Sequence, residues 1–348
     1  VSGKIKLCIF PSLKAVLILM AFLPWGCRQP RPAREKAMYY WKSSLAPGGY
    51  EERFLAGHGI RTLYLKFFDI GLDPSSGRPV PIAPLNARAI QGYNVVPVVF
   101  ITQNALKAMT DSSAEPYATL ICGKIRAMTL QMQWAPVREW QIDCDWTAGT
   151  RETYFRLLEK IRKEARAEGI ALSVTLRLYP YKYPHDMGVP PADRAMLMCY
   201  NMGNLKKAAT RNSILDTDEL GKYLGAGRPY PLPLDVALPV FSWYVWFRGP
   251  AYMGLAYPAE VDALAAREEK DGRYPVRSDT VVNGRAFLKG DWLRREDVSV
   301  EALQKARRML ERELAGQRPG RIALFHLDSL TLRNYSSDAI ESVLDGGH

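Results

Sequence analysis

From Ala37 onward, short runs of apolar, β-branched and aromatic residues alternate with loops and with longer stretches of polar or helical character. Eight runs have strand character: AMYYWKS (37–43), RTLYLKFFDIG (61–71), NVVPVVFIT (94–102), EWQIDCDWT (139–147), ALSVTLRLY (171–179), RAMLMCYN (194–201), LDVALPVFSW (234–243) and RIALFHLDS (321–329). Between them the clearest helix spans 151–168, with Thr150 placed to cap it and Gly169 to stop it. Ser299 is placed to cap another reaching about 314, and a last one covers about 337–344. Repeated β/α units pack as a parallel sheet covered by helices, and eight of them predict a (β/α)8 TIM barrel, class α/β, with any active site at the C-terminal ends of the strands. A doubly wound open sheet is the alternative, but no GxGxxG or phosphate loop follows any strand.

Two connections depart from the ideal unit. YPYKYPHDMGVPPAD, between strands five and six, holds too many prolines for a full helix. After strand seven comes an insertion of about fifty residues, about 245–298, whose Asn283-Gly284 pair suits a two-residue hairpin turn. On a barrel, an insertion there lies over the mouth as a lid or a wall.

The first residues change the picture of where this domain works. Lys4, Lys6 and Lys14 precede an apolar run, Ala15 to Leu23, that ends in Gly26 just before Cys27. That is the layout of an export signal, and the run is far below the roughly 20 residues a membrane-spanning helix needs. Leu23-Pro24-Trp25-Gly26-Cys27 resembles a bacterial lipobox, with the leucine one position early, so Cys27 is the expected lipidation site. Residues 1–26 then read as a lipoprotein signal, 27–36 as a Pro-rich tether, and 37–348 as a single barrel held at the cell envelope by its lipid.

Composition excludes some partners. The formal charge of +11 falls to +8 without the three lysines of the signal, and the remaining basic residues are interspersed with acids. A nucleic-acid binder needs a concentrated basic stripe, so no nucleic acid is expected; a diffuse positive surface reads first as a solvated one, with an acidic polysaccharide or an anionic membrane as the alternative partners. Cys122, Cys144 and Cys199 lie in apolar segments without CxxC or Cys/His spacing and read as buried thiols. No cluster compels a metal or another cofactor, although Asp143 and Asp145 could contribute to an oxygen-rich cation site.

The fourth strand carries the candidate chemistry. Side chains alternate, so Glu139, Gln141, Asp143 and Asp145 share one face, while Trp140, Ile142, Cys144 and Trp146 share the other. The apolar set faces the helices and the acids face the barrel, Asp145 nearest the mouth. Carboxylates placed there demand cations or donors. Ser173, Thr175 and Arg177 on strand five, and Lys66 on strand two, are in phase to supply them. A buried network that only fixes strand register is the competing reading.

Asp143-Cys144-Asp145-Trp146 resembles the DxDxE motif on the fourth strand of family 18 glycoside hydrolases, the chitinase-like barrels, where it commonly reads DIDWE. Met198-Cys199-Tyr200-Asn201 resembles their sixth-strand motif, Met-x-Tyr followed by Asp or Asn. The resemblance implies that Asp145 orients a substrate acetamide and that Tyr200 supports it. It fails at the proton donor, because Thr147 occupies the glutamate position and a threonine hydroxyl has no useful acidity near neutral pH. The tryptophan that ends the family's eighth strand is also missing, the strand here reading Phe325-His326-Leu327-Asp328. Over the whole chain the pattern is most similar to an uncharacterised group of bacterial lipoproteins with a chitinase-related barrel.

Glycosidases generally use two carboxyls, about 5 Å apart for retention or about 6.5–9.5 Å for inversion. Asp69, ending strand two, and Asp328, ending strand eight, are the possible partners of Asp145, although alternation alone does not turn either inward; Asp235 starts its strand and belongs to the other end. His326 beside Leu324 and Leu327 reads first as structural. Sugar sites add flat rings. Trp41, Trp146, Tyr179, Tyr200, Trp243 and Trp246 fall at or just past strand ends, Tyr200 and Trp243 carrying the most weight. The expectation is a barrel that binds carbohydrate, with Asp143 and Asp145 as the candidate catalytic acids if it also hydrolyses it and Lys66, Arg177, Tyr200, Asn201 and Trp243 as substrate contacts; the sequence does not identify the partner acid of Asp145. The alternative is an inactive barrel that binds a glycan or a protein at the envelope.

Overall fold

In a computed structural model of the 348-residue chain, the described residues are 1–4, 34–45, 48–87, 91–134, 136–225, 229–264 and 272–346. Cys27, residues 5–26 of the expected signal and most of the tether lie outside them. Among the described residues no helix is long and apolar enough to cross a membrane.

Eight parallel strands close on themselves. They are β1 (Glu35–Tyr40), β2 (Thr62–Leu72), β3 (Asn94–Ile101), β4 (Glu139–Cys144), β5 (Ala171–Arg177), β6 (Arg194–Met198), β7 (Leu234–Pro239) and β8 (Arg321–Phe325). Each pairs with its sequence neighbour, and β1 pairs with both β2 and β8, which closes the barrel expected from the alternation. Each of the eight expected runs overlaps a barrel strand. β1 starts at Glu35, inside the expected tether, because the Glu35 carboxylate accepts from Thr62 and is held by Arg321 at 2.6 Å.

Around the barrel run helices at Gly49–Gly57, Asp111–Gln131, Arg151–Ala167, Thr217–Tyr223, Val300–Glu313 and Ser337–Asp345. Ser299 caps as expected, its Oγ accepting from the Ala302 amide at 3.1 Å. Thr150 does not cap: its hydroxyl turns back to accept from the Thr147 amide at 3.0 Å, so it closes the preceding turn instead. Gly169 at φ 70° ends that helix in the left-handed conformation glycine tolerates. The proline-rich link after β5 condenses into two short helical turns, Leu178–Lys182 and Pro184–Met187. The link from β2 to β3 departs further, since an antiparallel strand, Pro79–Ile82, pairs with the end of β2 where a helix would otherwise pack.

The insertion begins at Trp243, two residues before the expected start. Ala251–Ala256, Trp243–Arg248, Asp291–Glu296 and Arg273–Pro275 form a four-stranded antiparallel sheet in that order. Beside it stands a hairpin, Thr280–Val282 and Arg285–Phe287, turned by Asn283 (φ 50°) and Gly284 (φ 75°), as the Asn-Gly pair foretold. Tyr244, Trp246, Phe287 and Leu293 build a small core distinct from the barrel's.

The outer faces of the strands meet the helices through aliphatic and aromatic side chains. The inner face of β4 is different: Glu139, Gln141 and Asp143 are all at most 6% exposed. Burial of that kind is tolerated only with partners. Gln141 accepts from the Tyr39 hydroxyl at 2.6 Å and donates to Ser173 at 3.2 Å, which satisfies the middle of the barrel.

Candidate functional site at the strand ends

β4 aims its polar face as alternation requires, and β5 answers it residue for residue. Thr175 donates its hydroxyl to Asp143 Oδ1 at 2.6 Å, and Arg177 Nη1 meets Asp145 Oδ2 at 2.7 Å. The same guanidinium reaches across to β6, donating from Nη2 to the Asn201 carbonyl at 2.9 Å. Arg177 therefore ties together the ends of β4, β5 and the turn after β6. Asn201 adopts a left-handed backbone, φ 54°, and its own side-chain Oδ1 is buried without a hydrogen-bond partner among the described residues.

Asp69 joins this cluster through an irregularity in β2. Lys66 and Asp69 are three apart and would face opposite sides of a regular strand. The pairing with β3 shifts between Lys66 and Phe68, and this bulge brings both to one face, where Lys66 Nζ lies 3.1 Å from Asp69 Oδ2. Asp69 then sits opposite Phe100, which sits opposite Asp143, so the two acids share a level of the barrel. Asp69 Oδ1 is buried and finds no hydrogen-bond partner among the described residues.

The electrostatics follow from this crowding. Burial pushes the Asp143 carboxyl up to about 7, with repulsion from Asp145 and Asp69 adding to it and the Thr175 hydroxyl and Arg177 opposing. Burial likewise raises Asp69, against the pull of Lys66. At neutral pH Asp143 is thus close to half protonated, a buried carboxyl beside two other acids.

The remaining expected site residues divide. Tyr200 lies at the mouth, stacked on Phe325 with ring centroids 5.0 Å apart, but only 4% exposed. Trp243 does not offer a ring face: it is 7% exposed, and its indole N–H donates to Glu296 Oε2 at 2.8 Å, a bond within the insertion's own sheet, where the two residues are paired. Asp328 does not join the acids of the mouth. It caps the short helix Ser329–Leu332, accepting from the Leu330 amide at 3.0 Å, and pairs with Lys42 at 3.3 Å. Thr147 lies beyond the end of β4 in an exposed turn, its hydroxyl 3.3 Å from that of Thr150. Trp146 faces outward, donating to the Met187 carbonyl at 3.1 Å. Cys122, Cys144 and Cys199 are all buried free thiols. Among the described residues no group of three or more His, Cys, Asp or Glu side chains is placed to hold a metal ion.

Sequence reasoning named Trp41 among the rings at strand ends but passed over Phe241 and Phe325. Trp41 lies 5.3 Å from Phe325 and has Lys66 Nζ 5.6 Å from its ring centre, while Phe241 meets Phe325 at 5.6 Å. The signal for Phe325 was present, since it alternates with Arg321 and Ala323 on the inward face of β8.

No protein-family model matches this sequence, and no curated protein is similar to it. Its fold is similar to solved structures. The chitinase of Chromobacterium violaceum ATCC 12472 superposes with a TM-score of 0.52 at 12% identity, covering 89% of this chain and 98% of that one. The Group IV chitinase of Ostrinia furnacalis gives 0.53 at 13% identity over 89% and 98%. The spore cortex-lytic enzyme SleL of Bacillus megaterium QM B1551 gives 0.50 at 14% over 86% and 72%. At such identities the likeness is one of architecture: this chain folds as a chitinase-like (β/α)8 barrel.

Proposed function

We propose that this chain is a cell-envelope lipoprotein, anchored through Cys27, whose barrel mouth binds carbohydrate. One observation carries the reading: Asp69, Asp145, Arg177 and Asn201 converge where the strands end, and two of the acceptors there, Asp69 Oδ1 and Asn201 Oδ1, have no protein donor among the described residues. Buried acceptors left open are costly, and a ligand rich in O–H or N–H donors relieves that cost. Sugars are such ligands. The architecture shared with chitinases points the same way; one similar structure is the Ostrinia furnacalis enzyme in complex with allosamidin.

Hydrolysis is the second reading, and Asp143 is what favours it: a carboxyl raised to about 7 has the acidity range of a general acid. Against it stand the 6% exposure of Asp143 and the threonine at position 147. Binding without turnover therefore fits the geometry better.

The test exposes the full chain and Asp145→Asn to β-1,4-linked oligomers of N-acetylglucosamine, of glucose and of a uronic acid, with calorimetric binding and reducing-end release both measured. Binding of one series, weakened tenfold or more by the substitution and without release of reducing ends, is the expected outcome. Release abolished by Asp145→Asn would establish the second reading, and release that survives it would exclude Asp145 as an essential acid or base. No binding to any series would overturn the proposal.

A further inference from the structure

The helix Asp111–Gln131, which links β3 to β4, turns an uncharged face to solvent. Pro116, Leu120, Gly123, Ala127 and Leu130 are all exposed, Leu120 at 67% and Leu130 at 81%. Their spacing of four, three, four and three residues keeps them on one stripe, about 21 Å long at 1.5 Å per residue. The stripe does not serve the fold, since the same helix packs on the barrel through Ala114, Ala118, Ile121, Ile125 and Met128 on its opposite side. Two other long helices around the barrel are finished with charge instead: Arg151–Ala167 shows Arg156, Glu159 and Lys163 to solvent, and Val300–Glu313 shows Glu301, Lys305 and Arg308.

Apolar side chains at heptad spacing form the seam that a second helix buries, and the edges of this seam suit its own copy in one orientation. Thr119 and Arg126 edge it on one side, Lys124 and Gln131 on the other. Arg126 is held by Glu164 and Glu168, and Lys124 lies over the Phe68 ring at 5.4 Å. In a parallel pair opposite edges meet, so Lys124 faces Thr119 of the second copy and Arg126 faces its Gln131, with no like charges opposed. An antiparallel pair sets the two Lys124 side chains on the same side of the seam, where they repel. Gly123 lies mid-stripe, and a Cβ there would meet nothing within 4 Å, so the surface is open where the two backbones approach.

The tether supplies the same orientation. Cys27 is eight residue steps from Glu35, where β1 starts at the N-terminal end of the barrel, a reach of at most about 28 Å. Two lipid-anchored copies therefore turn that end to one bilayer and run their 111–131 helices the same way.

We propose that this stripe is the interface between two copies of the chain, paired about a two-fold axis along the membrane normal with their Asp111–Gln131 helices parallel. The stripe stands on its own, while the orientation rests in part on the lipid anchor proposed above. One helix from each copy gives a seam smaller than the roughly 1,200 Å² of a stable complex, so free copies pair weakly and the shared membrane raises their effective concentration. The pair holds two barrel mouths side by side, both turned away from the bilayer.

The test expresses the full chain in bacteria, isolates membranes by flotation and oxidises them with copper phenanthroline. Gly123→Cys and Leu130→Cys should each give a disulfide-linked dimer at least fivefold above the unsubstituted chain, whose Cys122, Cys144 and Cys199 are buried. Adding Leu120→Glu, a change at an exposed side chain outside the core, should cut either yield at least fivefold. A dimer from Gly123→Cys without one from Leu130→Cys would overturn the parallel arrangement, because antiparallel stripes hold the two Leu130 positions more than about 15 Å apart. No dimer from either variant in floated membranes, or yields that Leu120→Glu leaves intact, would overturn the interface with the anchor still standing. Chain that fails to float with the membranes would instead remove the anchor and the oriented pair with it.

Discussion

The two ends of one barrel are both built from acids facing basic residues, with β4 contributing acids to each, yet they are finished differently. At the N-terminal end Glu35, Glu139 and Asp235 face Arg194 and Arg321. Arg321 alone holds Glu35 at 2.6 Å, contacts Glu139, donates to the Tyr64 hydroxyl at 2.9 Å and gives its backbone amide to Asp235 at 2.8 Å. Arg194 adds a second contact to Asp235 at 3.3 Å. No side-chain oxygen of these three acids is left buried without a partner. At the C-terminal end Asp69, Asp143 and Asp145 face Lys66 and Arg177, and Asp69 and Asn201 each keep an open buried oxygen. Perturbed acidity does not separate the ends, because burial raises Asp235 to about 6 just as it raises Asp143 to about 7. What separates them is completeness: one end satisfies itself, and the other leaves acceptors for something else.

The largest effect should come from breaking the finished end. Arg321→Ala would leave Glu139, 4% exposed, without its main cation, and Asp235, 1% exposed, with Arg194 as its remaining cation. Removing one partner of a buried network costs roughly 3–5 kcal/mol. Urea unfolding should show a loss of that size, with sugar binding by the molecules still folded unchanged. A loss below about 1 kcal/mol would mean that the N-terminal cluster is not structural.

At the mouth, Asp143→Asn should act in the opposite direction. The folded carboxyl titrates near 7 and the ordinary one at 3.8, so between these values the folded state binds more protons than the unfolded state. Stability then falls as pH rises from about 4 to about 7. The amide removes that titration while its oxygen still accepts from Thr175. The variant should fall about 1 kcal/mol below the parent chain under pH 4 and exceed it by roughly 3 kcal/mol above pH 8. That is less than the roughly 4 kcal/mol of a full conversion at 1.36 kcal/mol per unit, because the new buried NH₂ lacks a partner. Urea midpoints measured across pH 3.5–8.5 check both the sign and the window.

Alternation made the barrel legible: each of the eight strands carries its own period, and the inward set of β4 follows from Trp140, Ile142 and Cys144 needing the helices. The Asp145–Arg177 pair was legible for the same reason, since both positions are in phase on neighbouring strands. Asp69 was not, because period-two reasoning fails at a bulge, and the shift after Lys66 comes from pairing with β3 rather than from the residues themselves. Trp243 was misjudged because strand seven stops at Pro239 and the aromatic run that follows starts a second sheet, a boundary that apolar composition does not mark. Asp328 is at the expected height, but an aspartate immediately before a short helix is claimed by that helix's amides. A cavity lined by both Trp41 and Tyr257 joins residues more than two hundred positions apart and has no local signature at all.

The smallest stability effect tests the comparison most sharply, because it concerns the other arginine. Arg177 binds two groups as Arg321 binds four, but its side chain is 42% exposed and that of Asp145 33%. Exposed pairs contribute about 0–1 kcal/mol, since water screens the charges and both side chains lose rotamer freedom. Arg177→Ala should therefore shift the urea midpoint by less than about 1 kcal/mol while weakening sugar binding tenfold or more. The two arginines sit on strands of one barrel and face carboxylates of one strand, so a large stability loss at Arg177 would make the mouth a second structural network. A small loss together with lost binding would mark Arg177 as held in place for a ligand rather than for the fold.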